Sequence, residues 1–265
     1  MVRRGRLDAE LVRRGLARSR EQAAAAIAAG RVRVGGMVAT KAATGVDEST
    51  SLVLDDGGEP AYASRGGHKL AGALDVLADL DVAGRRCLDA GASTGGFTDV
   101  LLRRGASQVV AVDVGYGQLA WGLRTDDRVV VLDRTNVRGI TPEVIGGQVD
   151  VVVADLSFIS LGTVLPSLAA VVASSGDLLV MVKPQFEVGR ARLPQGGVVR
   201  DPAVRAEAVT GVAAQAQALG LGVAGVTASP LPGPAGNVEY FLWLRGDAPP
   251  LRAADLERAV REGPP

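Results

Sequence analysis

The chain has 265 residues, a length that fits one large domain or two unequal ones. Hydrophobic residues make up 47% and charged residues 22%, so the chain can bury a sizeable core and is not wholly disordered. The single cysteine, Cys87, excludes an internal disulfide and favours a reducing compartment. No uninterrupted apolar run reaches the roughly 18 residues of a membrane-spanning helix. These features predict a globular protein of the cytoplasm.

The net charge of zero conceals an uneven distribution. Residues 1–41 contain ten basic and three acidic side chains, so this segment carries +7 and the remainder carries −7. A basic segment on an acidic body is typical of a polyanion-binding module, although a solvated helical surface has the same composition.

Within the basic segment, apolar residues recur at helical spacing from Leu7 onward, with arginines between them. Ser19 is a suitable N-cap for a second helix, and Gly30 is a suitable stop. Gly35-Gly36 separates two short apolar runs and predicts a tight hairpin. We therefore expect a small α+β unit, with helices over 7–16 and 19–29 and strands over 31–34, 37–38 and 52–54.

This segment resembles the RNA-binding domain first seen in ribosomal small-subunit protein four. The similarity rests on Arg6-Leu7-Asp8, Leu11, Gly15, Ser19-Arg20, Ala23, Ile27, Gly30, Val32, Val34 and Gly35. It implies that basic side chains contact structured RNA, mainly at phosphates, although each arginine taken alone is equally a solvated surface charge. The candidate RNA contacts are Arg3, Arg4, Arg6, Arg13, Arg14, Arg18, Arg20, Arg31, Arg33 and Lys41, together with Arg65 in the following domain.

The acidic, breaker-rich run 55–60 predicts a domain boundary, which gives a first domain over 1–59, a linker over 60–63 and a second domain over 64–265. From residue 85 onward, apolar strands alternate with helical stretches, which indicates a Rossmann-like α/β fold with a mostly parallel sheet. The last two strands are too close for a helix between them. We expect them to pair antiparallel at the sheet edge, an ending more typical of methyltransferases than of nicotinamide-binding domains. The predicted strands cover 86–89, 109–113, 129–133, 149–155, 178–183, 222–228 and 238–245, and the predicted helices cover 64–80, 96–104, 161–173, 203–219 and 251–262.

A loop of small residues follows the first of these strands. Small side chains let a ligand approach the backbone, and the N-terminus of the next helix favours an anion. Asp113 ends the second strand, where an acid can bind the ribose hydroxyls of an adenosine. S-adenosylmethionine and NAD both fit this pattern, but Ser93 replaces the second glycine of a dinucleotide fingerprint and disfavours NAD; a purely structural turn is the alternative. The loop residues are Asp89, Gly91, Ala92, Ser93, Thr94, Gly95, Gly96 and Phe97.

The next two strands also end in candidate cofactor contacts. Asp133 and Asn136 follow the third strand, near the adenine position of such sheets, and either could instead cap a loop. Asp155 and Phe158 follow the fourth strand at the expected catalytic edge; Phe158 is a candidate for stacking on the cofactor or for core packing. This run is not the Asn-Pro-Pro-aromatic motif of amino-group methyltransferases, which argues against an exocyclic amine as the target.

Lysine is restricted to three positions, Lys41, Lys69 and Lys183, among 29 basic residues. A lysine can lose its proton where an arginine effectively cannot, so these positions are candidates for proton transfer. Lys183 ends the fifth predicted strand and Glu239 lies in the last one. Lys69, Asp155, Lys183 and Glu239 can therefore converge at one edge of the sheet.

Together these motifs resemble the TlyA family, haemolysin-named proteins that act as ribosomal-RNA ribose methyltransferases and whose second domain is FtsJ-like. The similarity covers nearly the whole chain and rests on residues 64–70, 89–97, 155–158, 183–187 and Glu239. It implies a catalytic tetrad of Lys69, Asp155, Lys183 and Glu239, S-adenosylmethionine as cofactor, and methylation of cytidine 2′-hydroxyls in ribosomal RNA. The linker Pro60-Ala61-Tyr62-Ala63 departs from the Arg-Ala-Trp-Val of the family.

Other functions account for only part of the sequence. A non-catalytic RNA-binding or ribosome-assembly factor would explain the basic segment but not the tetrad or the glycine loop. A membrane-active haemolysin would need a strongly apolar segment, and a dehydrogenase would need NAD. No cysteine–histidine cluster predicts a metal. We therefore expect ribosomal RNA or a ribosomal subunit as the partner and no membrane, while no sequence pattern indicates the modified nucleotide or the oligomeric state.

Overall fold

A computed structural model of the chain describes residues 5–17, 19–28, 30–47, 50–54, 62–189 and 192–264. Residues up to 61 and residues from 62 onward form two compact units. Three of the predicted RNA contacts and half of the predicted linker lie outside the described residues, namely Arg3, Arg4, Arg18, Pro60 and Ala61.

The N-terminal unit packs two helices and short strands around an aliphatic core. Leu7, Leu11 and Ile27 are buried in this core, because helical spacing brings such residues to one face. Gly35 and Gly36 both have positive φ, as the predicted two-residue hairpin requires. The elements are β1 (Gly5–Arg6), α1 (Leu7–Arg13), α2 (Arg20–Ala28), β2 (Val32–Val34), β3 (Met37–Val38), β4 (Gly45–Val46) and β5 (Leu52–Leu54).

The second unit alternates strands with helices along the chain. Its helices are α3 (Arg65–Val76), α4 (Gly96–Arg103), α5 (Trp121–Arg124), α6 (Pro142–Ile145), α7 (Leu161–Val171), α8 (Pro184–Glu187), α9 (Pro202–Ala218) and α10 (Ala253–Glu262), with a 3-10 turn over Val137–Gly139. Its strands are β6 (Arg86–Ala90), β7 (Gln108–Val112), β8 (Val129–Leu132), β9 (Val149–Ala154), β10 (Val172–Val182), β11 (Gly222–Ala228) and β12 (Tyr240–Arg245).

These strands form one seven-stranded sheet in the order β11-β12-β10-β9-β6-β7-β8. Both pairings of β12 are antiparallel and the other four pairings in the sheet are parallel, so the predicted mostly parallel α/β fold with an antiparallel last strand is confirmed. Val152 faces one hydrophobic core while Val151 and Val153 face another, and all three are fully buried. Both faces of the sheet are therefore covered, which explains the near-continuous apolar strands.

The sheet brings the ends of five parallel strands to one edge. Gly91, Asp113, Asp133, Asp155 and Lys183 each follow directly on the last residue of a strand. Because β12 runs the other way, its first residue meets the end of β10, with Tyr240 paired to Val182. Glu239 precedes β12 directly and so reaches the same edge as Lys183.

Several predicted boundaries are wrong. The helix expected over 7–16 ends at Arg13, and the helix expected over 64–80 ends at Val76. The last strand begins at Tyr240 rather than at residue 238, so Glu239 lies before the strand and not in it. The helix predicted to reach residue 173 ends at Val171. Strand β10 begins at Val172, six residues before its predicted start at residue 178. The β-branched pair Val171-Val172 and the serines that follow it favour an extended chain over further helix.

Tyr62 and Ala63, which the sequence places in the linker, are held on the second unit. The backbone N–H of Ala63 donates to Oδ2 of Asp99 at 2.8 Å. The guanidinium of Arg103 lies 4.8 Å from the centre of the Tyr62 ring.

Cys87 lies in the middle of the sheet, in β6, and is fully buried. Burial raises the pKa of its thiol to about 12.

Of the helices that the structure describes, none has both the length and the apolar character that crossing a bilayer demands.

The packing of α7 predicts a clear difference between two helix substitutions. Leu165 is fully buried in the core, and Leu165→Ala should lower the free energy of unfolding by about 2–5 kcal/mol through lost contacts and a cavity. Val76 is mostly exposed at the end of α3, and Val76→Ala should change it by less than about 0.5 kcal/mol. Denaturant unfolding followed by tryptophan fluorescence reports on this unit, because Trp121 and Trp243 both lie in it. Equal effects of the two substitutions would contradict this packing.

Candidate active site

A pocket of about 360 Å³ opens at the edge of the sheet where the parallel strands end. It collects side chains from α3, the glycine loop and the ends of β9 and β10. The four charged residues predicted to converge all line it, as do six of the glycine-loop residues and Arg65. These lining residues are Lys69, Asp155, Lys183, Glu239, Gly91, Ala92, Ser93, Thr94, Gly96, Phe97 and Arg65.

One half of the charged group is a buried ion pair. Nζ of Lys69 lies 2.5 Å from Oε2 of Glu239, and both side chains are almost fully buried. Lys69 lies in the second turn of α3, whose N-cap Ser64 accepts a hydrogen bond from the backbone N–H of Gly66. Since a buried charge is costly unless it is paired, each of these two groups requires the other.

The other half joins Lys183 to two residues after β9. Nζ of Lys183 lies 2.6 Å from Oδ1 of Asp155 and donates a 3.0 Å hydrogen bond to Oγ of Ser157. Lys183 is almost fully buried, while Asp155 is partly exposed to the pocket. The amine is therefore fixed in position by two partners that come from the neighbouring strand.

The glycine loop lies directly against the end of β9. Gly91 has φ of +91°, and a Cβ there would lie only 2.6 Å from the backbone oxygen of Asp155. Only glycine allows both the conformation and the close approach. Gly95, also at positive φ, is the N-cap of α4, so the pocket includes the N-terminus of a helix, where backbone N–H groups favour an anion.

Asp113 holds the loop from the next strand. Its carboxylate accepts hydrogen bonds from the backbone N–H groups of Ser93 at 2.8 Å and of Gly115 at 2.6 Å. Asp113 does not line the pocket itself, but its contact with Ser93 places it directly beside the loop. A carboxylate has more than two lone-pair positions, so Asp113 can accept further hydrogen bonds from a ligand.

Asp89 lies behind the loop rather than in the pocket. It is fully buried in β6, and Oδ2 accepts a 2.7 Å hydrogen bond from the hydroxyl of Thr98. Oδ1 has no hydrogen-bond partner among the described residues. Burial is the main cause that raises the pKa of Asp89 to about 7.

Three other predicted cofactor contacts lie outside the pocket. Asp133 forms a 2.8 Å ion pair with Arg124, which holds the pKa of Asp133 below its ordinary value. Asn136 caps the 3-10 turn by accepting from the N–H of Arg138, the capping role that the sequence left open. Phe158 is 91% exposed, with its ring 5.4 Å from that of Phe186, so the alternative of core packing is wrong for this residue.

Four of the predicted RNA-binding arginines are ion-paired inside the N-terminal unit. Arg6 and Arg20 pair with Asp8, while Arg13 and Arg14 pair with Glu10. Arg31, Arg33 and Lys41 form no ion pair with a described residue, and Arg65 is exposed in the first turn of α3.

Two comparisons with protein families divide the chain as the structure does. An FtsJ-like methyltransferase model matches residues 62–246, and an S4 domain model matches residues 5–51. The chain is 62% identical, over the full length of both proteins, to the 16S/23S rRNA (cytidine-2′-O)-methyltransferase TlyA of Mycobacterium tuberculosis. The chain belongs to the TlyA family of FtsJ-like methyltransferases.

Other TlyA relatives carry a different name. Hemolysin A of Brachyspira hyodysenteriae is 36% identical over 89% of this chain and 98% of its own length. A solved Streptococcus thermophilus structure, also named as a hemolysin, is 38% identical with a TM-score of 0.78 and covers 99% of this chain and 96% of its own. The fold therefore extends over the whole TlyA chain.

Sequence reasoning missed several residues of the TlyA pocket. Ser157 lies within the 155–158 motif, but nothing in the sequence indicates that it bonds to Lys183. Pro232 and Pro234 also line the pocket, and a Cβ on Gly233 would lie 2.6 Å from Oε1 of Glu239. A glycine between two prolines just before Glu239 was the available signal, because such a run fixes the backbone around the carboxylate.

The buried state of Asp89 predicts how stability depends on pH. Its pKa is about 7 in the folded chain against an ordinary value of 3.8, so the folded state keeps a proton that the unfolded state loses above about pH 4. The free energy of unfolding should therefore fall as pH rises from about 4 to about 7, by at most about 4 kcal/mol from this group. In Asp89→Asn this component should be absent. Denaturant titrations of both proteins at several pH values measure it.

The comparison between the two proteins serves as the control, since all other titrating groups are shared. Their difference in unfolding free energy should be constant below about pH 4 and above about pH 8. A difference that does not change between these limits would show that Asp89 is ionised in the folded chain.

Proposed function

We propose that this protein transfers a methyl group from S-adenosylmethionine to the 2′-hydroxyl of cytidine in ribosomal RNA. The observation that supports this most directly is that two lysine–carboxylate pairs and a glycine loop line one pocket. The TlyA relative with 62% identity is named for this reaction. The arrangement suits a hydroxyl target, which must lose a proton when its oxygen is methylated.

The residues of the loop fit S-adenosylmethionine. Gly91–Thr94 have small side chains and offer backbone groups to the pocket, and the N-terminus of α4 suits the carboxylate of the methionine part. Asp113 retains lone pairs for the two ribose hydroxyls. When bound, S-adenosylmethionine supplies a methyl group that its positive sulfur already activates.

The protein must therefore orient the ribose oxygen and accept its proton. Lys183 is the proton acceptor in this proposal. Its Nζ is held at the wall of the pocket by the hydrogen bond to Oγ of Ser157 and by the close contact with Oδ1 of Asp155, where the 2′-hydroxyl can reach it. The methyl group would leave sulfur, giving the neutral thioether S-adenosylhomocysteine, as it bonds to the 2′-oxygen, and Nζ of Lys183 would take the proton that the hydroxyl releases.

Lys69 and Glu239 have a positioning role in the same reaction. Their mutual ion pair holds the ammonium of Lys69 at the wall of the pocket, where it can bind the reacting ribose or a neighbouring phosphate. Glu239 balances the charge of Lys69 and fixes its side chain. Neither residue needs to change its protonation state during the transfer.

The RNA substrate is supported by the N-terminal unit. It matches the S4 domain model and carries the basic excess of the chain. Arg31, Arg33 and Lys41 are available for phosphate contacts, and Arg65 can contact RNA beside the pocket. Ribosomal RNA as substrate implies a cytoplasmic location.

Mapping of ribose methylation tests the function as a whole. Ribosomal RNA from cells that contain this protein should carry methylated cytidine 2′-hydroxyls that are missing from cells without it. Reappearance of the marks on adding back the gene, but not its Lys183→Arg form, would connect them to this pocket. Identical methylation maps in the two strains would reject the proposal.

The role of Lys183 predicts the behaviour of Lys183→Arg. Arginine keeps the charge but effectively cannot give up its proton, so kcat for tritiated methyl transfer to ribosomal subunits should fall about 100-fold or more. Calorimetry should show nearly unchanged affinity for S-adenosylmethionine, and the unfolding midpoint should show that the variant is folded. Turnover close to the parent rate would remove Lys183 from the role of proton acceptor.

A further inference from the structure

One carboxylate in the N-terminal unit holds two arginines at once. Asp8, at the start of α1, accepts hydrogen bonds from Nε and Nη2 of Arg6 at 3.0 and 3.2 Å. It also accepts from Nε and Nη2 of Arg20, the first residue of α2, at 3.3 and 2.8 Å. The two guanidiniums are therefore anchored side by side, one from the end of β1 and the other from the start of α2.

The carboxylate is buried but the arginines are not. The side chain of Asp8 is 6% exposed, whereas those of Arg6 and Arg20 are 51% and 60% exposed. The two arginines lower the pKa of Asp8 to about 2, so it is ionised at neutral pH. The three groups together carry one net positive charge, and Nη1 of each arginine has no partner among the described residues.

Arg14 shows what an arginine with a structural role looks like in the same unit. It pairs with Glu10 and also donates to the backbone oxygens of Asp47 and Thr50, each at 2.8 Å. Its side chain is only 22% exposed. Arg6 and Arg20 make no such backbone contacts with described residues, so their bond to Asp8 orients them without covering them.

We propose that Asp8 is a positioning residue for RNA binding, which presents Arg6 and Arg20 as one preformed cradle for a backbone phosphate. The inference rests on the proposed function, since it takes structured RNA as the substrate. A guanidinium binds phosphate through two parallel N–H groups, so its orientation matters as well as its charge. An arginine already held in place loses less conformational freedom on binding than a free one.

The proposal and bulk electrostatics make opposite predictions for Asp8→Asn. Removing a negative charge raises the net charge by one, which by itself strengthens binding to RNA. If Asp8 orients the two arginines, Asp8→Asn should instead weaken binding about fivefold. Glu21→Gln is the matched control, because Glu21 is an exposed acid next to Arg20 and its loss changes the charge by the same amount.

Binding is measured with the full chain and purified ribosomal subunits that lack the methylation, by filter retention at one salt concentration. Glu21→Gln should bind as tightly as the parent or slightly more tightly. In Asp8→Asn, KM for subunits in methyl transfer should rise with the dissociation constant while kcat stays within about twofold. An unchanged kcat shows that the second unit, which contains the pocket, is intact.

A second variant tests the cradle without altering a buried group. Arg6→Lys combined with Arg20→Lys keeps every charge but removes the planar guanidiniums, and it should weaken binding about tenfold. In an Arg6→Gln, Arg20→Gln background, Asp8→Asn should have no further effect, because Asp8 acts only through these two residues.

Two results would overturn the inference: Asp8→Asn binding at least as tightly as Glu21→Gln, or the double lysine variant binding like the parent. Both are judged by subunit binding alone, so they are independent of whether the chain transfers a methyl group. If the parent binds subunits but leaves them unmethylated, the proposed function fails while the cradle is still tested.

Discussion

The arrangement of the pocket depends on the cost of removing charge from water. Two lysines lie almost fully buried at the edge of an apolar sheet, and such groups are tolerated only when they are paired. The antiparallel direction of β12 makes this pairing possible. The start of β12 lies beside the end of β10, which places Glu239 near Lys183 and Lys69. The same pairing that makes the burial acceptable fixes the amines in the positions that the proposed proton transfer and substrate binding require.

Much of this arrangement is visible in the sequence. Asp113, Asp133, Asp155 and Lys183 each follow an apolar run, and since parallel strands end at a common edge, their approximate convergence follows from the alternation of strands and helices. The sequence predicts Glu239 inside the last strand, whereas it lies just before that strand; the predicted edge of the sheet is correct. The sequence pattern is sufficient to locate these strands because strands buried on both faces are nearly continuous runs of apolar residues.

What the sequence could not provide is the partner of each polar group. The bond of Ser157 to Lys183, the pairing of Asp133 with Arg124 and the burial of Asp89 depend on distances between segments far apart in the chain. The arginine-rich segment shows the same limit, because charge counting treats Arg6, Arg14 and Arg20 alike. In the structure Arg14 donates to the backbone of the loop at Thr50. Arg6 and Arg20 share the carboxylate of Asp8.

The position of Cys87 has a practical consequence. The only thiol of the chain is enclosed in the central strand and remains protonated at any ordinary working pH. A cysteine introduced at a surface position of either unit would therefore react alone with maleimide reagents, without removal of a native residue. One dye on each unit would then report the distance between them when RNA is added.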